Sequence, residues 1–137
     1  MQTTKSESLA VRTSSDVVGV RHLVRRMAVE LGLGLIEQTK VVTAASELAR
    51  NMIDYGGGGT MTATHIDDGL RKGLRLIFED HGPGIADLDA ALRDGFTTGS
   101  GMGLGLGGAK RLSNEFEIKT APGQGTRVTI TRWKGAS

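Results

Sequence analysis

The glycines between Asp80 and Gly108 constrain this chain more than any other feature of its sequence. Glycine occupies positions 82 and 84, and then every second position from 99 to 107. Each glycine loses backbone entropy on folding and buries no side chain, so such a segment is a poor core strand or helix interior. It suits a backbone that approaches a ligand closely and points its N–H groups at an anion. A flexible turn or linker is the other interpretation, because a short G-x-G pattern is weak alone.

The residues on either side of these glycines favour the ligand interpretation. Ala109 to Leu112 is predicted to be helical, which places the second glycine cluster at a helix N-terminus, where phosphate is stabilised. Leu74, Leu76 and Phe78 alternate with Arg75, Ile77 and Glu79, so they predict a strand that ends at Asp80. Asp80 lies on the same face as these apolar residues, and a carboxylate there needs a hydrogen-bond donor.

The composition limits the classes of protein to consider. The 137 residues are 38% hydrophobic, which predicts one domain over residues 1–137. The net charge of +2 is too small to indicate a nucleic-acid partner, and the absence of cysteine excludes disulfides and thiolate metal sites. Met1 to Ser8 is polar, and no apolar run approaches the roughly 18 residues of a membrane span. We therefore expect a cytoplasmic protein with no membrane partner.

The hydrophobic pattern predicts an α/β two-layer sandwich. Helices are predicted from the N-capping residues 14–16 to Gly32, and from Leu35 to Tyr55, where Gly56 to Gly59 would form a flexible turn. Short helices are expected over 86–93 and 108–114. Strands are predicted over 8–13, 60–66, 74–80, 116–120 and 126–133, the first at an edge or frayed. This order indicates one mostly antiparallel or mixed sheet with helices packed on one face.

The second helix carries two polar residues of interest. Glu47 and Asn51 are four residues apart, so they share one helix face beside the apolar one. A solvated surface charge is the alternative interpretation of Glu47. His22, His65 and His81 are scattered through the sequence, and we interpret none of them as a metal ligand. Trp133 is expected to pack at the end of the last strand.

These motifs occur in a fixed order that resembles a known superfamily. The order is E-x-x-x-N on a helix, D-x-G-x-G after a strand, a G-x-G repeat before a helix and a late G-x-G-T. It is similar to the GHKL (Bergerat-fold) ATPases and kinases, which include DNA gyrase B, Hsp90, MutL and histidine kinases. The resemblance covers about Leu35 to Trp133. His81 stands where these proteins often have Asn.

The resemblance implies a role for each matching residue. Asp80 would accept a hydrogen bond from the adenine amino group, Thr126 would complete the adenine contact through water, and Asn51 would ligate Mg²⁺. Glu47 would be the catalytic residue that positions or deprotonates the nucleophile. The glycine-rich cluster would form a lid over the phosphates of ATP. The implied nucleotide-binding residues are Asn51, Asp80, Gly82, Gly84, Ile85, Ser100, Gly101, Met102, Gly103, Leu104, Gly105, Leu106 and Thr126.

Several stretches are more specifically similar to the RsbT-type switch kinases of stressosomes and their RsbW- and SpoIIAB-type anti-sigma relatives. They are S-E-L-A-R-N at 46–51, E-D-H-G-P-G-I at 79–85, D-G-F-T-T at 94–98 and G-A-K-R-L at 108–112. The resemblance implies a kinase that phosphorylates a serine or threonine of a STAS-domain antagonist. After release from that partner, such a kinase activates a PP2C-type phosphatase.

Two other functions stay open at the level of sequence. An anti-sigma factor would use the same fold to sequester a sigma factor, and Arg21, Arg25 and Arg26 could face an acidic partner, although solvated arginines are commoner. A nucleotide-gated binding module would have little transfer activity. Glu47 is an argument against this role, because a module that only binds nucleotide would not need it. A histidine kinase fragment is disfavoured because no helical hairpin with a phosphoacceptor histidine is predicted.

Overall fold

The fold is a five-stranded sheet with helices on one face. The computed structural model describes residues 1–85 and 106–136. Their elements, in chain order, are β1 Gln2–Val11, α1 Ser14–Leu31, α2 Leu35–Asp54, β2 Gly59–Asp67, β3 Lys72–Asp80, α3 Leu106–Arg111, β4 Glu115–Thr120 and β5 Thr126–Trp133.

The strand order is β1-β2-β3-β5-β4, and every neighbouring pair is antiparallel. Because β5 lies between β3 and β4, its first residue, Thr126, pairs with the last residue of β3, Asp80. This register brings the two residues together from distant parts of the sequence. The predicted α/β sandwich with one antiparallel sheet is confirmed.

The two long helices begin and end where the sequence predicts. The carboxylate of Asp16 accepts the backbone N–H groups of Arg12 and Thr13 at 2.9 and 3.0 Å, which satisfies donors left free at the start of α1. Gly32 ends α1 in the left-handed region at φ +91°, a conformation that disfavours other residues. The second long helix, α2, starts three residues later.

Two predicted elements have clearly different bounds in the structure, and a third cannot be compared. The first strand is β1, Gln2–Val11, rather than 8–13, because nine of its ten residues find partners along β2, with an irregularity at Thr4. The helix predicted over 108–114 is α3, Leu106–Arg111, so two glycines lie inside it. The helix predicted over 86–93 lies outside the described residues.

The core lies between the sheet and the helices. Met27 of α1 and Ala45 of α2 are fully buried against the inner face of the sheet, where Met61, Leu76 and Ile130 are also buried. Trp133 is 1% exposed, which confirms its predicted packing at the end of β5. Within the part of the chain that the structure describes, no helix is long and apolar enough to cross a membrane.

Candidate functional site

A pocket opens where β3 ends and β5 begins, beneath the C-terminal half of α2. Its wall is largely apolar, with Asp80, Asn51 and Thr126 as polar groups. This combination is typical of small-molecule sites, in which a few polar groups orient a mainly apolar ligand surface. The lining residues are Leu48, Asn51, Met52, Tyr55, Gly56, Phe78, Asp80, Gly84, Ile85, Leu106, Thr126 and Val128.

The structure brings six of the predicted site residues together in this pocket. They are Asn51, Asp80, Gly84, Ile85, Leu106 and Thr126. Gly82 does not line the pocket, but its backbone N–H donates to the Asp80 carboxylate at 2.9 Å. Glu47 is exposed on α2, one turn before Asn51, and does not line the pocket either. The predicted lid residues Ser100, Gly101, Met102, Gly103, Leu104 and Gly105 lie outside the described residues.

Asp80 is a half-buried carboxylate with backbone donors around it. Burial raises the pKa of Asp80, and the backbone N–H groups of Gly82 and Thr126 and the nearby His81 act in the opposite direction. The expectation that this carboxylate finds a donor is therefore met by the backbone. An acceptor held by fixed N–H groups in a pocket is suited to a ligand that donates a hydrogen bond.

Two close approaches of the backbone explain glycines around Asp80. A Cβ on Gly56 would lie 2.4 Å from the Asp80 Oδ2 atom, and a Cβ on Gly82 would lie 2.7 Å from the Gly56 Cα atom. The sequence alone predicts no more than a flexible turn at Gly56, and its close approach to Asp80 is visible only in the structure. The signal available was a run of four glycines after α2, where one is enough to end a helix.

Hydroxyl groups form a second polar cluster beside Asp80. Thr120, at the end of β4, was also missed by the sequence analysis. Its Oγ1 atom lies 2.9 Å from the Thr126 Oγ1 atom, 2.9 Å from the Ile85 nitrogen and 3.1 Å from the Gly125 oxygen. These contacts join the segment after β3 to the turn between β4 and β5. No local pattern marks Thr120, because its partners are distant in the sequence.

Asn51 has a polar atom without a protein partner. Its Nδ2 atom is buried and makes no hydrogen bond to any described residue. Since buried polar atoms are nearly always paired, an unpaired amide N–H group at a pocket wall suits a ligand that offers a hydrogen-bond acceptor. Among residues 1–85 and 106–136, no group of three His, Cys, Asp or Glu side chains could hold a metal ion. Any ion here would therefore depend on Asn51 together with ligand oxygens and water.

The three predicted surface arginines of α1 all have partners. Arg26 pairs with Glu7 of β1 at 2.7 Å, Arg21 donates to the Ser46 hydroxyl at 2.9 Å, and Arg25 donates to Gln38 at 3.2 Å. These exposed contacts join α1 to β1 and α2. They favour the interpretation of this face as ordinary solvated surface over a basic patch reserved for a partner.

Comparison with curated proteins identifies two groups of relatives. The chain is 43% identical over 123 residues to the serine/threonine-protein kinase RsbT of Bacillus subtilis (strain 168), with 90% of this chain and 92% of the relative covered. It is 30% identical over 122 residues to an anti-sigma F factor of Thermoanaerobacter sp. (strain X514), with 85% and 84% covered.

Two solved structures share the fold. The RsbU and RsbW domains of Rv1364c from Mycobacterium tuberculosis superpose with a TM-score of 0.68 at 22% identity, over 97% of this chain and 34% of that longer chain. The SiaB-SiaC complex from Pseudomonas aeruginosa gives a TM-score of 0.53 at 16% identity, over 96% and 90%.

The matched family segment includes the pocket. Residues 36–135 match the sequence profile described as histidine kinase-, DNA gyrase B-, and HSP90-like ATPase. That range contains all of α2 except Leu35, the whole sheet except β1, and every residue that lines the pocket. The superfamily resemblance is confirmed, and this chain belongs to the histidine kinase-, DNA gyrase B- and HSP90-like ATPase family.

Proposed function

We propose that this chain, as a single domain over residues 1–137, is a cytoplasmic protein serine/threonine kinase that uses ATP and Mg²⁺. The observation that carries the proposal is the pocket in which Asp80 and Asn51 meet at the end of β3. The 43% identity to a serine/threonine-protein kinase supports the transfer activity. The family match to ATPases supports the choice of nucleotide.

The pocket suits the two kinds of surface that adenine offers. The Asp80 carboxylate would accept a hydrogen bond from the adenine amino group, which is a donor. Met52, Phe78 and Ile85 supply apolar surface for the purine ring. A Cβ added at Gly84 would lie 2.0 Å from the Ala121 oxygen. The lack of a side chain at Gly84 therefore lets the segment after β3 pack against the turn between β4 and β5.

Asn51 is the residue that would hold the metal. A neutral amide oxygen suits Mg²⁺, a hard cation that keeps several waters and takes its other ligands from phosphates. Bound there, the ion would neutralise charge on the β- and γ-phosphates. The predicted lid, Ser100 to Leu106, would place backbone N–H groups over the same phosphates.

Glu47 is proposed as the base for the protein substrate. Because Glu47 is exposed and lies one turn from Asn51, a serine or threonine of a second protein could reach it. The substrate hydroxyl oxygen bonds to the γ-phosphorus as the bond to the β–γ bridging oxygen breaks. ADP leaves with that oxygen, and the hydroxyl proton passes to the Glu47 carboxylate.

The proposed substrate is a STAS-domain antagonist, with a PP2C-type phosphatase as the partner after release. The test is incubation of the purified chain with γ-labelled ATP, Mg²⁺ and candidate STAS-domain proteins. Transfer of label to a serine or threonine is expected, and mass spectrometry would locate it. If no STAS-domain protein accepts label while ATP binds tightly, the kinase assignment is wrong and a nucleotide-gated binding module is favoured.

An anti-sigma factor is the second candidate function. The observation in its favour is the 30% identity to an anti-sigma F factor over most of both chains. Such a protein would hold a sigma factor and phosphorylate an anti-anti-sigma partner. Parallel pull-downs with sigma factor, STAS-domain protein and phosphatase would separate the two roles, since a switch kinase should retain the phosphatase and not the sigma factor.

A further inference from the structure

The hydroxyl of Thr120 contacts three polar groups at once. Its Oγ1 atom lies 2.9 Å from the Ile85 nitrogen, 3.1 Å from the Gly125 carbonyl oxygen and 2.9 Å from the Thr126 hydroxyl. The side chain is half-buried at the end of β4, directly opposite Thr126 of β5. Thr120 does not line the pocket, whereas Thr126 does.

Counting protons fixes the direction of each hydrogen bond. A hydroxyl has one proton to donate and two lone pairs to accept. The Ile85 N–H can only donate and the Gly125 carbonyl can only accept, so Thr120 receives the first and donates its proton to the second. The remaining contact with Thr126 must then be donated by the Thr126 hydroxyl. This is the arrangement in which all three contacts are hydrogen bonds.

The consequence is that Thr126 turns its proton away from the pocket. Its oxygen then presents lone pairs toward the ligand, next to the Asp80 carboxylate, which is also an acceptor. Two neighbouring acceptors favour a ligand edge that carries donors in direct contact with them. An amino group at purine position 6 is such a donor, whereas a carbonyl oxygen at the same position is not.

We propose that Thr120 is a positioning residue that fixes the Thr126 hydroxyl as an acceptor and so makes the pocket select 6-amino over 6-oxo purines. The inference rests on the proposed function, because it assumes a purine nucleotide in this pocket. Without the Thr120 hydroxyl, Thr126 can rotate and donate to a 6-oxo group. The segment around Ile85 would also loosen, but that change affects both kinds of purine alike.

The test compares two nucleotides that differ at this edge of the ring. Calorimetry would measure the Kd of ATP and of inosine triphosphate for the wild type and for Thr120→Val, which keeps the shape and removes the hydroxyl. The wild type should prefer ATP, and the variant should lose about three- to tenfold of that preference, the range of one neutral hydrogen bond. The matched control Thr120→Ser keeps the hydroxyl and should retain the preference.

Two further variants keep the result interpretable. Thr120→Ala removes the same hydroxyl without a branched side chain, and serves if Thr120→Val does not fold. In a Thr126→Val background, where the acceptor itself is gone, Thr120→Val should not change the preference further. A merely structural role would lower the affinity for both nucleotides and leave their ratio unchanged.

Several outcomes would overturn the proposal. An unchanged ratio in folded Thr120→Val or Thr120→Ala, with ATP still bound, refutes the role of Thr120 and leaves the proposed kinase intact. An equal loss in Thr120→Ser shows that packing matters and the hydroxyl does not. A wild type that binds neither nucleotide refutes both this inference and the proposed function.

Discussion

At the scale of single residues, burial of the Asp80 carboxylate lowers the stability of the ligand-free protein. The same carboxylate is the proposed hydrogen-bond acceptor for the ligand. The half-buried carboxylate loses solvation, and its raised pKa reports that the charged form is less favourable in the folded chain than in the unfolded one. The backbone donors Gly82 and Thr126 offset part of that penalty. A ligand amino group would supply a further donor, so the free protein holds a site that is more favourable when occupied.

The first prediction tests the contribution of Asp80 to ATP binding. Asp80→Asn replaces one acceptor oxygen with a donor, so ATP affinity should fall by about tenfold or more, the loss expected for a hydrogen bond to a charged group. Titration calorimetry on the folded variant measures it. Unchanged affinity would mean that Asp80 does not contact the base.

The same substitution should change how stability depends on pH. Because the pKa of Asp80 is raised on folding, the native state binds more protons than the unfolded state between the two pKa values, and stability falls as pH rises through that window. Asp80→Asn removes this loss. Urea unfolding of the ligand-free proteins should therefore show the variant at least as stable above the window, with the difference shrinking as pH falls below it.

A second residue-scale prediction concerns Gly56. Gly56→Ala would place a Cβ 2.4 Å from the Asp80 Oδ2 atom, so the carboxylate must move and ATP affinity should fall by about tenfold or more. Gly19→Ala is the matched control, because a Cβ at Gly19 of α1 meets nothing within 4 Å. The control should keep ATP affinity and gain about 0.5–1 kcal/mol of unfolding free energy. Equal effects of both substitutions on affinity would contradict the contact.

At the scale of elements, α2 links the core to the candidate chemistry. Leu48 and Met52 bury one side of the helix, Asn51 reaches the pocket from its edge, and Glu47 remains exposed. The sequence predicted this division because a period of 3.6 residues assigns each side chain to a face. The same reasoning placed Asp80 on the inner face of β3, since strands alternate with a period of two.

What the sequence could not provide is the pairing of distant elements. Nothing local places β5 between β3 and β4, yet that order puts Thr126 opposite Asp80. Thr120 and Gly56 escaped prediction for the same reason, because their contacts depend on register and on close backbone approach. The extra length of β1 likewise depends on partners in β2 rather than on its own weak alternation.

The element-scale prediction tests the role of α2 at the pocket. Asn51→Ala should abolish most Mg²⁺-dependent phosphotransfer, because it removes the proposed protein ligand. The fold should persist, since the substitution also removes a buried nitrogen that has no partner among the described residues. Thr43→Ala, on an exposed position of the same helix, should leave transfer unchanged. Normal transfer by Asn51→Ala, measured with labelled ATP, would exclude it as the metal ligand.

At the scale of the whole molecule, the elements of residues 1–85 and 106–136 leave one end of the sandwich open. The sheet and its two long helices bury a continuous core, while the pocket opens at the end of β3 and Glu47 faces solvent beside it. A second protein could therefore approach the proposed nucleotide site without unfolding any described element. This arrangement suits a kinase whose substrate is a folded domain, but it would also suit a binding module that only senses nucleotide.

The substitution Glu47→Gln distinguishes a kinase from a binding module that only senses nucleotide. The substitution preserves size and polarity but cannot accept the proton of the substrate hydroxyl, and a positioned base contributes about 10²–10⁴ in rate. The variant should bind ATP and the proposed STAS-domain partner normally, yet phosphorylate that partner at least about a hundredfold more slowly. Glu117→Gln, which removes an equally exposed carboxylate from β4, is the matched control and should transfer at the wild-type rate. Single-turnover transfer with saturating ATP isolates the chemical step from nucleotide binding. Wild-type rates for Glu47→Gln would make Glu47 a solvated helix charge, and the base would have to be sought elsewhere.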